Sequence, residues 1–223
     1  MSLLKVLFSI PKTLWFNLRY LPFSQGVRLP VWLAANVRIP HMHRGGVMLR
    51  TQHIKPAMIR IGFHEAYGDD IYARHTILNV HRSAKIIFRK DAHIGHGAIL
   101  CVVNDGVLDL GENFAISGTT SIITYKEIRI GANVQFAWNS LVMDSDAHTI
   151  IDTQGNALPN CIPVRIGDHV WIASNVTILK GTEIGDNCVV AANSLCNKTY
   201  QQPNRIIAGS PAKEIKEIGS WKL

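Results

Sequence analysis

The stretch Ile166–Leu195 reads I-G-D-H-V-W, I-A-S-N-V-T, I-L-K-G-T-E, I-G-D-N-C-V, V-A-A-N-S-L, and an aliphatic residue leads every block of six. An α-helix repeats near 3.6 residues and an ordinary strand near 2, so neither explains this period. A parallel β-helix does, because each flat face of its coil takes one hexad and points one aliphatic side chain inward. Such repeats must stack on one another to bury that side.

The same period recurs upstream of this stretch. Its leading residues there are Leu110, Ile116, Ile122, Ile128 and, in a second run, Ile130, Phe136 and Val142. The phase shifts by two at Leu108/Leu110, Ile128/Ile130 and Val164/Ile166. We interpret each shift as the start of a new coil of about three hexads.

Four segments follow from this pattern. Residues 1–25 are predicted to form an amphipathic helical segment, with Pro11 and Pro22 bracketing its later half. Its apolar residues, which include Leu14, Trp15, Phe16, Leu18 and Leu21, are expected to dock on the core or in an oligomer, and peripheral attachment to the inner membrane face is the second alternative. Residues 26–87 are predicted as irregular first coils, 88–204 as the β-helix catalytic domain, and 205–223 as a tail in which a strand and turn leave the coil.

Two loops are predicted to leave the coil. The stretch 63–76 is rich in polar residues and glycine, and Thr149–Pro163 breaks the hexad phase completely with turn-forming residues. Loops on a rigid scaffold are common places for functional sites.

Composition narrows the class of protein. The chain has 223 residues, 47% hydrophobic and 17% charged, and contains no apolar run long enough to predict a transmembrane helix. A signal peptide is not predicted, because Pro11 interrupts the apolar start and no small-residue cleavage site follows. Four cysteines without paired spacing favour free thiols in a reducing cytoplasm over disulfides or a metal site.

The net charge of +7 is unevenly distributed. The first 64 residues contain nine Lys or Arg and no Asp or Glu, whereas the remaining 14 basic and 16 acidic residues nearly cancel. This asymmetry is typical of contact with an anionic membrane surface or substrate, and a merely solvated basic face remains open. Nucleic acid is disfavoured, because no binding motif accompanies the dispersed basic residues.

One histidine stands out before the second loop. In Met143-Asp-Ser-Asp-Ala-His148 the strict phase would place His148 inside the coil, where an unpaired imidazole is costly. The loop begins at this point, so we expect the phase to break and the ring to reach a cleft. A hydrogen-bonded structural histidine is the ordinary alternative.

These repeats resemble the hexapeptide-repeat acyltransferase family, whose fold is a left-handed parallel β-helix. The resemblance covers residues 88–216 and is greatest to bacterial acetyltransferases of capsule or lipopolysaccharide sugars. It implies that His148 is the general base that takes a proton from an acceptor hydroxyl, which suits a group titrating near neutrality. Asp146 and Asp144 would then orient the imidazole, or only form the turn.

The resemblance also implies acetyl-CoA as the acyl donor, no metal, and a homotrimer. Trp171 in Val170-Trp-Ile-Ala-Ser matches the family's coenzyme A turn, and Ala208-Gly-Ser-Pro-Ala-Lys213 matches its G-x-P-A-[KR] ending. The residues expected to contact the donor are Trp171, Ser174, Ala192, Asn197, Lys198, Lys213 and Lys216.

Several alternatives stay open. This chain reads Gly118-Thr-Thr120 where sugar-acetylating members have an asparagine, so the acceptor contact is not assigned. N-acetylation of an amino sugar, O-acetylation of serine, and a non-catalytic binding scaffold are possible on the same fold. A zinc enzyme of the γ-carbonic anhydrase type is disfavoured, because His93 and His96 have no third histidine in phase.

Overall fold

Two helices and twenty-two short strands make up the regular structure of residues 3–63 and 75–222, the part of the chain that a computed structural model describes. The helices are α1 (Leu3–Tyr20) and α2 (Phe23–Gly26). The strands are β1 (Val31–Leu33), β2 (Val47–Leu49), β3 (Ile59–Phe63), β4 (Ile77–Val80), β5 (Lys85–Phe88), β6 (Ala92–His96), β7 (Ile99–Val102), β8 (Val107–Leu110), β9 (Phe114–Gly118), β10 (Ser121–Thr124), β11 (Glu127–Ile130), β12 (Gln135–Trp138), β13 (Leu141–Met143), β14 (Val164–Ile166), β15 (Trp171–Ile172), β16 (Thr177–Ile178), β17 (Glu183–Ile184), β18 (Val189–Val190), β19 (Leu195–Cys196), β20 (Thr199–Tyr200), β21 (Arg205–Gly209) and β22 (Ala212–Glu217).

The strands form three sheets that the chain visits in rotation. Sheet A has the order β1-β3-β6-β9-β12-β15-β18-β21-β22, sheet B the order β4-β7-β10-β13-β16-β19, and sheet C the order β2-β5-β8-β11-β14-β17-β20. From β3 onward the chain passes from A to B to C and back to A, and successive strands within each sheet pair in parallel up to β21. This is the parallel β-helix predicted from the hexads.

The hexad leaders fill the inside of the prism. Ile172, Ile178 and Val190 are completely buried, and Ile166 and Ile184 are nearly so. Each buried aliphatic side chain contributes about 1.5–3 kcal/mol relative to an exposed one, and the column repeats this gain in every coil. The predicted core of the β-helix is therefore confirmed.

The corners of the prism are turned by residues in the left-handed conformation. At the corner between sheets A and B, Asn139, Asn175 and Asn193 have φ of 59°, 59° and 60°. Asparagine tolerates this region better than most residues, because its short amide bonds to nearby backbone. Asn139 thus has a corner-forming role.

The first coils belong to the same prism. β1 pairs with β3, β2 with β5 and β4 with β7, all in parallel. The segment predicted as irregular first coils therefore contributes strands to all three sheets. Most of the loop predicted over 63–76 lies outside the described residues.

Helix α1 differs from the sequence prediction in two ways. It continues through Pro11 instead of breaking there. Phe16 is buried as expected, but Trp15 and Leu18 point away from the coil and are about half exposed. Within the described residues, no helix is both long and apolar enough to cross a membrane.

The C-terminal segment also differs from its prediction. β21 pairs in parallel with β18, so it continues sheet A instead of leaving the coil. The chain then reverses at Ser210–Pro211, and β22 pairs antiparallel with β21. Sheet A therefore ends in a hairpin that widens its outer face.

Candidate active site

The predicted loop after β13 is a two-stranded ribbon. Its strands are joined by antiparallel bridges between Ser145 and Cys161 and between Ile151 and Ala157. At its base the Ile162 N–H donates to the carbonyl oxygen of Asp144 at 3.0 Å. The ribbon leaves the prism at the corner between sheets B and C, and the extruded loop is confirmed.

His148 lies on this ribbon and is exposed, as predicted from the break in phase. Its Nδ1 lies 3.3 Å from the backbone carbonyl oxygen of Asp146. Because a carbonyl oxygen only accepts hydrogen bonds, this contact places the proton of the neutral ring on Nδ1. Nε2 is then left with a lone pair, which is the state that a general base requires.

Asp144 is not the predicted partner of His148. Its carboxylate is completely buried and accepts the backbone N–H groups of Tyr125, Lys126 and Glu127 at 2.7, 2.8 and 2.7 Å. These three donors come from the preceding coil, so the side chain holds two coils together at the root of the ribbon. The expectation that Asp144 orients the imidazole is therefore corrected, since its oxygens face into the coil.

Asp146 has a different partner from the one expected. Its carboxylate forms an ion pair with the ammonium of Lys180, which also donates to the Pro159 carbonyl oxygen at 2.7 Å. The side chain of Asp146 thus fixes both strands of the ribbon to the next coil, while its backbone carbonyl meets His148. Sequence reasoning missed Lys180, although its corner position directly after β16 was a usable signal.

The outer face of sheet A brings three of the predicted donor-binding residues together. Trp171 pairs with Val189, Val189 with Ile206, and Ile206 with Lys216, so these side chains form one row across four strands. Trp171 is 41% exposed. The row therefore runs from an open aromatic ring to a lysine.

A second row of small side chains lies beside the first. The inward-pointing residues Ile172, Val190 and Ile207 pair with one another across three neighbouring strands. The residue that follows each of them is an alanine, namely Ala173, Ala191 and Ala208, and Ala208 pairs with Lys213 on β22. Because alanine side chains are short, this row protrudes less from the sheet than the neighbouring row that contains Trp171. The result is a shallow apolar strip that ends at Lys213 and Lys216, both of which are exposed.

The remaining predicted donor residues are divided between two corners. Ser174 and Ala192 lie at the corner between sheets A and B, where Asn193 N–H donates to the Ser174 carbonyl oxygen. Asn197 and Lys198 lie at the corner between sheets B and C, on the same side as His148. The ammonium of Lys198 sits 5.6 Å from the centre of the Tyr200 ring. One chain therefore does not bring all seven residues together.

The C-terminal residues add an aromatic ring that the sequence did not indicate. Trp221 stacks on His169 with ring centroids 4.4 Å apart, and its indole N–H donates to the His169 carbonyl oxygen at 2.8 Å. Its ring centroid lies 6.2 Å from that of Trp171. Trp221 thus extends the row on sheet A at its Trp171 end, although Trp221 and Trp171 are far apart in the sequence.

Residues 163–198 match the family model described as bacterial transferase hexapeptide (six repeats). Over these residues the chain is similar to the hexapeptide-repeat transferases. The match lies on β14 to β19 and ends beside Lys198, and with the three parallel sheets it confirms the predicted left-handed parallel β-helix.

Curated relatives of this chain include two proteins of Escherichia coli K12. The lipopolysaccharide biosynthesis O-acetyl transferase WbbJ, a name given provisionally to that protein, is 29% identical over 62% of this chain and 74% of its own length. Galactoside O-acetyltransferase is 33% identical over 50% of this chain and 54% of its own length. The chain thus spans only about half of the second relative.

Among solved structures, the polySia-specific acetyltransferase NeuO superposes with a TM-score of 0.53 and 18% identity, covering 87% of this chain and 89% of NeuO. At this identity the likeness concerns the fold. Within residues 3–63 and 75–222, no group of three His, Cys, Asp or Glu is placed to hold a metal ion.

Proposed function

We propose that this transferase moves the acetyl group of acetyl-CoA to a hydroxyl of a sugar or surface-polysaccharide precursor, with His148 as general base. The observation that carries the proposal is the exposed imidazole at the root of the ribbon, with Nδ1 held by the Asp146 carbonyl oxygen. The relatives named for lipopolysaccharide and galactoside O-acetylation support the reaction class.

His148 supplies the proton acceptor. The acceptor hydroxyl oxygen attacks the carbonyl carbon of the acetyl thioester, and the Nε2 lone pair of His148 takes the hydroxyl proton. The resulting imidazolium then returns a proton to the coenzyme A sulfur as its bond to the acetyl carbon breaks. The ion pair between Asp146 and Lys180 keeps the ribbon, and with it the Asp146 carbonyl, in place. Asp146 therefore acts as a positioning residue through its backbone.

The outer face of sheet A fits the donor. Acetyl-CoA supplies an acetyl thioester on a long, weakly polar arm that ends in phosphates. The alanine strip beside Trp171 suits the arm, and the exposed ammonium groups of Lys213 and Lys216 suit the phosphates. Ser174 and Ala192 border the strip at the adjoining corner.

The site is completed by a second copy of the chain. His148 and Lys198 lie at the corner between sheets B and C. Trp171 lies on sheet A, and Ser174 lies at the corner between sheets A and B, so both are on the opposite side of sheet B. The outer face of sheet B is made mostly of half-buried apolar side chains, namely Ile99, Cys101, Ile123, Leu141, Met143, Leu179 and Leu195. Packing this face against a neighbour in a cyclic homotrimer would bring together parts of two chains. The corner that carries His148 in one chain would meet the outer face of sheet A, which carries Trp171, in the next chain.

The test measures acetyl-CoA-dependent thiol release with a panel of sugars, nucleotide sugars and polysaccharide fragments. His148→Ala should lower turnover by about 10²–10⁴ while acetyl-CoA still binds. His53→Ala, which removes an exposed histidine of the first coils, is the matched control and should keep full activity. Acetyl-CoA binding without turnover on any acceptor, or normal turnover by His148→Ala, would remove the proposed role.

Co-expression tests the shared site. A His148→Ala chain and a Lys213→Ala/Lys216→Ala chain should together recover activity at low acetyl-CoA, because about a quarter of randomly mixed interfaces combine the two intact halves. Light scattering should give three times the chain mass. No recovery in mixed trimers would place the whole site within one chain.

A further inference from the structure

The face of α1 that docks on the prism carries buried polar side chains beside the ring of Phe16. The Asn17 side chain donates to the carbonyl oxygen of Val31 at 2.6 Å and accepts the Val31 N–H at 3.1 Å. The Thr13 hydroxyl oxygen accepts the Leu33 N–H at 3.0 Å. Both side chains are buried.

These polar side chains are required by the strand beneath them. β1 is the edge strand of sheet A, and an edge strand presents unpaired N–H and C=O groups that need partners. Apolar side chains cannot supply them. Helix α1 therefore closes the N-terminal end of the prism through its hydrogen-bonding residues, and its other side is turned away from the coil.

The opposite side of α1 carries an apolar stripe, which consists of Leu7, Phe8, Leu14, Trp15 and Leu18. Positions 7, 14 and 18, with 8 and 15 beside them, follow the helical repeat and lie on one side of the helix. Phe8 is 71% exposed, and the other four are between 40% and 53% exposed. A surface helix in water normally shows the reverse arrangement, so a contiguous stripe of this kind marks a contact surface.

The charges in the N-terminal part of the chain, to which the stripe belongs, are of one sign. The first 64 residues contain no Asp or Glu. Among the side chains that the structure describes in this part of the chain, the exposed basic ones are Arg19, Arg28, Arg38, Arg44, Arg50, Lys55 and Arg60. Lys12 is turned inward instead, and its ammonium donates to the carbonyl oxygens of Ala35 and Val37. The charged side chains that the structure describes in residues 3–63 are thus all positive.

We propose that the apolar stripe lays α1 flat on the surface of an anionic phospholipid bilayer. The charge selects this occupant over a second copy of the stripe, because two identical stripes would bring like charges together. Apolar residues on one face with basic residues around them are the features that hold a helix in the interfacial region.

The orientation rests on the proposed function in one respect. In a cyclic trimer packed through sheet B, the three copies of α1 lie at the same end of the assembly and outside the side-by-side contacts. One bilayer then meets three stripes at once, and each additional contact adds to the attachment.

The experiment is co-sedimentation of the full chain with vesicles of phosphatidylcholine alone and of phosphatidylcholine mixed with phosphatidylglycerol. The wild-type protein should sediment with the mixed vesicles, less so at high salt, and weakly with the neutral ones. Phe8→Ser/Trp15→Ser should lower the partition coefficient about tenfold or more, because two aromatic side chains no longer enter the interface. Ile215→Ser, which removes a 61% exposed apolar side chain from β22, is the matched control and should bind like the wild type.

Two results would overturn the proposal. Equal sedimentation of the wild type and Phe8→Ser/Trp15→Ser would show that the stripe does not bind lipid. A smaller assembly mass for that variant in the absence of lipid would instead identify the stripe as an interface between copies. Acetyl transfer to a soluble acceptor separates this proposal from the preceding one, since Phe8→Ser/Trp15→Ser should keep it and His148→Ala should lose it while still binding vesicles.

Discussion

Replacing Asp144 by alanine should lower the free energy of unfolding by about 3–6 kcal/mol. The carboxylate is completely buried and accepts three backbone N–H groups, from Tyr125, Lys126 and Glu127. Each buried donor left without a partner costs about 1–3 kcal/mol, and three of them would lose their acceptor at once. We take the lower part of the summed range, because water can enter the enlarged site from the ribbon side.

Two further variants sharpen this prediction. Asp144→Asn keeps one oxygen for Lys126 and Glu127 but turns an amide donor toward Tyr125, so it should cost about 1–3 kcal/mol. Asp152→Ala is the matched control, because Asp152 also accepts backbone N–H groups, but these bonds lie at a solvent-exposed part of the ribbon. Its removal should change the free energy of unfolding by less than about 1 kcal/mol.

Urea unfolding followed by circular dichroism gives the three free energies, and thiol release gives the activity of the fraction that is folded. We expect Asp144→Asn to be less stable but to keep the pH dependence of kcat of the wild type. If Asp144→Ala unfolds within about 1 kcal/mol of the wild type, the structural role fails. If Asp144→Asn is stable and its pH profile of kcat moves, the carboxylate acts on His148 after all.

Two other variants test the ribbon and the buried core. Lys180→Met removes the ion pair with Asp146 and the hydrogen bond to Pro159, so limited proteolysis should cut residues 149–163 faster and turnover should fall. The control Lys126→Met, at an exposed lysine of the preceding coil, should change neither the cutting rate nor the turnover. Equal cutting rates for the two variants would show that Lys180 does not hold the ribbon. Burial raises the pKa of the Cys196 thiol from 9.0 to about 12. The unfolded chain loses this proton first, so the group's contribution to stability is complete below pH 9 and declines above it by about 1.4 kcal/mol per pH unit until about pH 12. Cys196→Ala should reduce the slope of stability against pH in this window and Cys101→Ala should not, and identical slopes would contradict the assignment.

The β-helix was predictable because its period is set by one local requirement. Each face must bury one side chain per hexad, so Ile172 and Ile178 carry the same information as any other leading residue. The break at Thr149 was equally visible, since a ribbon outside the coil has no reason to keep the period. Exposure of His148 followed from that break alone.

The contacts of α1 were not predictable from periodicity. Hydropathy identifies an apolar side of the helix, and burial in a core is the usual destination of such a side. Here the neighbouring surface is the open edge of β1, which requires hydrogen-bonding partners, so Thr13 and Asn17 dock and Trp15 faces outward. The pattern shows which side chains share a face, and the neighbour decides which face is covered.

The partners of Asp144 and Asp146 show what coil register adds to a sequence motif. Read along the chain, both carboxylates are close to His148, and the motif alone predicts that they orient its ring or only form the turn. In register, Val142 pairs with Ile178, so the residues that follow them, Asp144 and Lys180, occupy the same corner of neighbouring coils. The ammonium of Lys180, which neutralises the Asp146 carboxylate, therefore comes from the next coil. In the sequence it follows the whole ribbon and is not among the neighbouring residues of the motif. In a stacked fold, the search for the partner of a charged corner residue should begin at the same position of the adjacent coil.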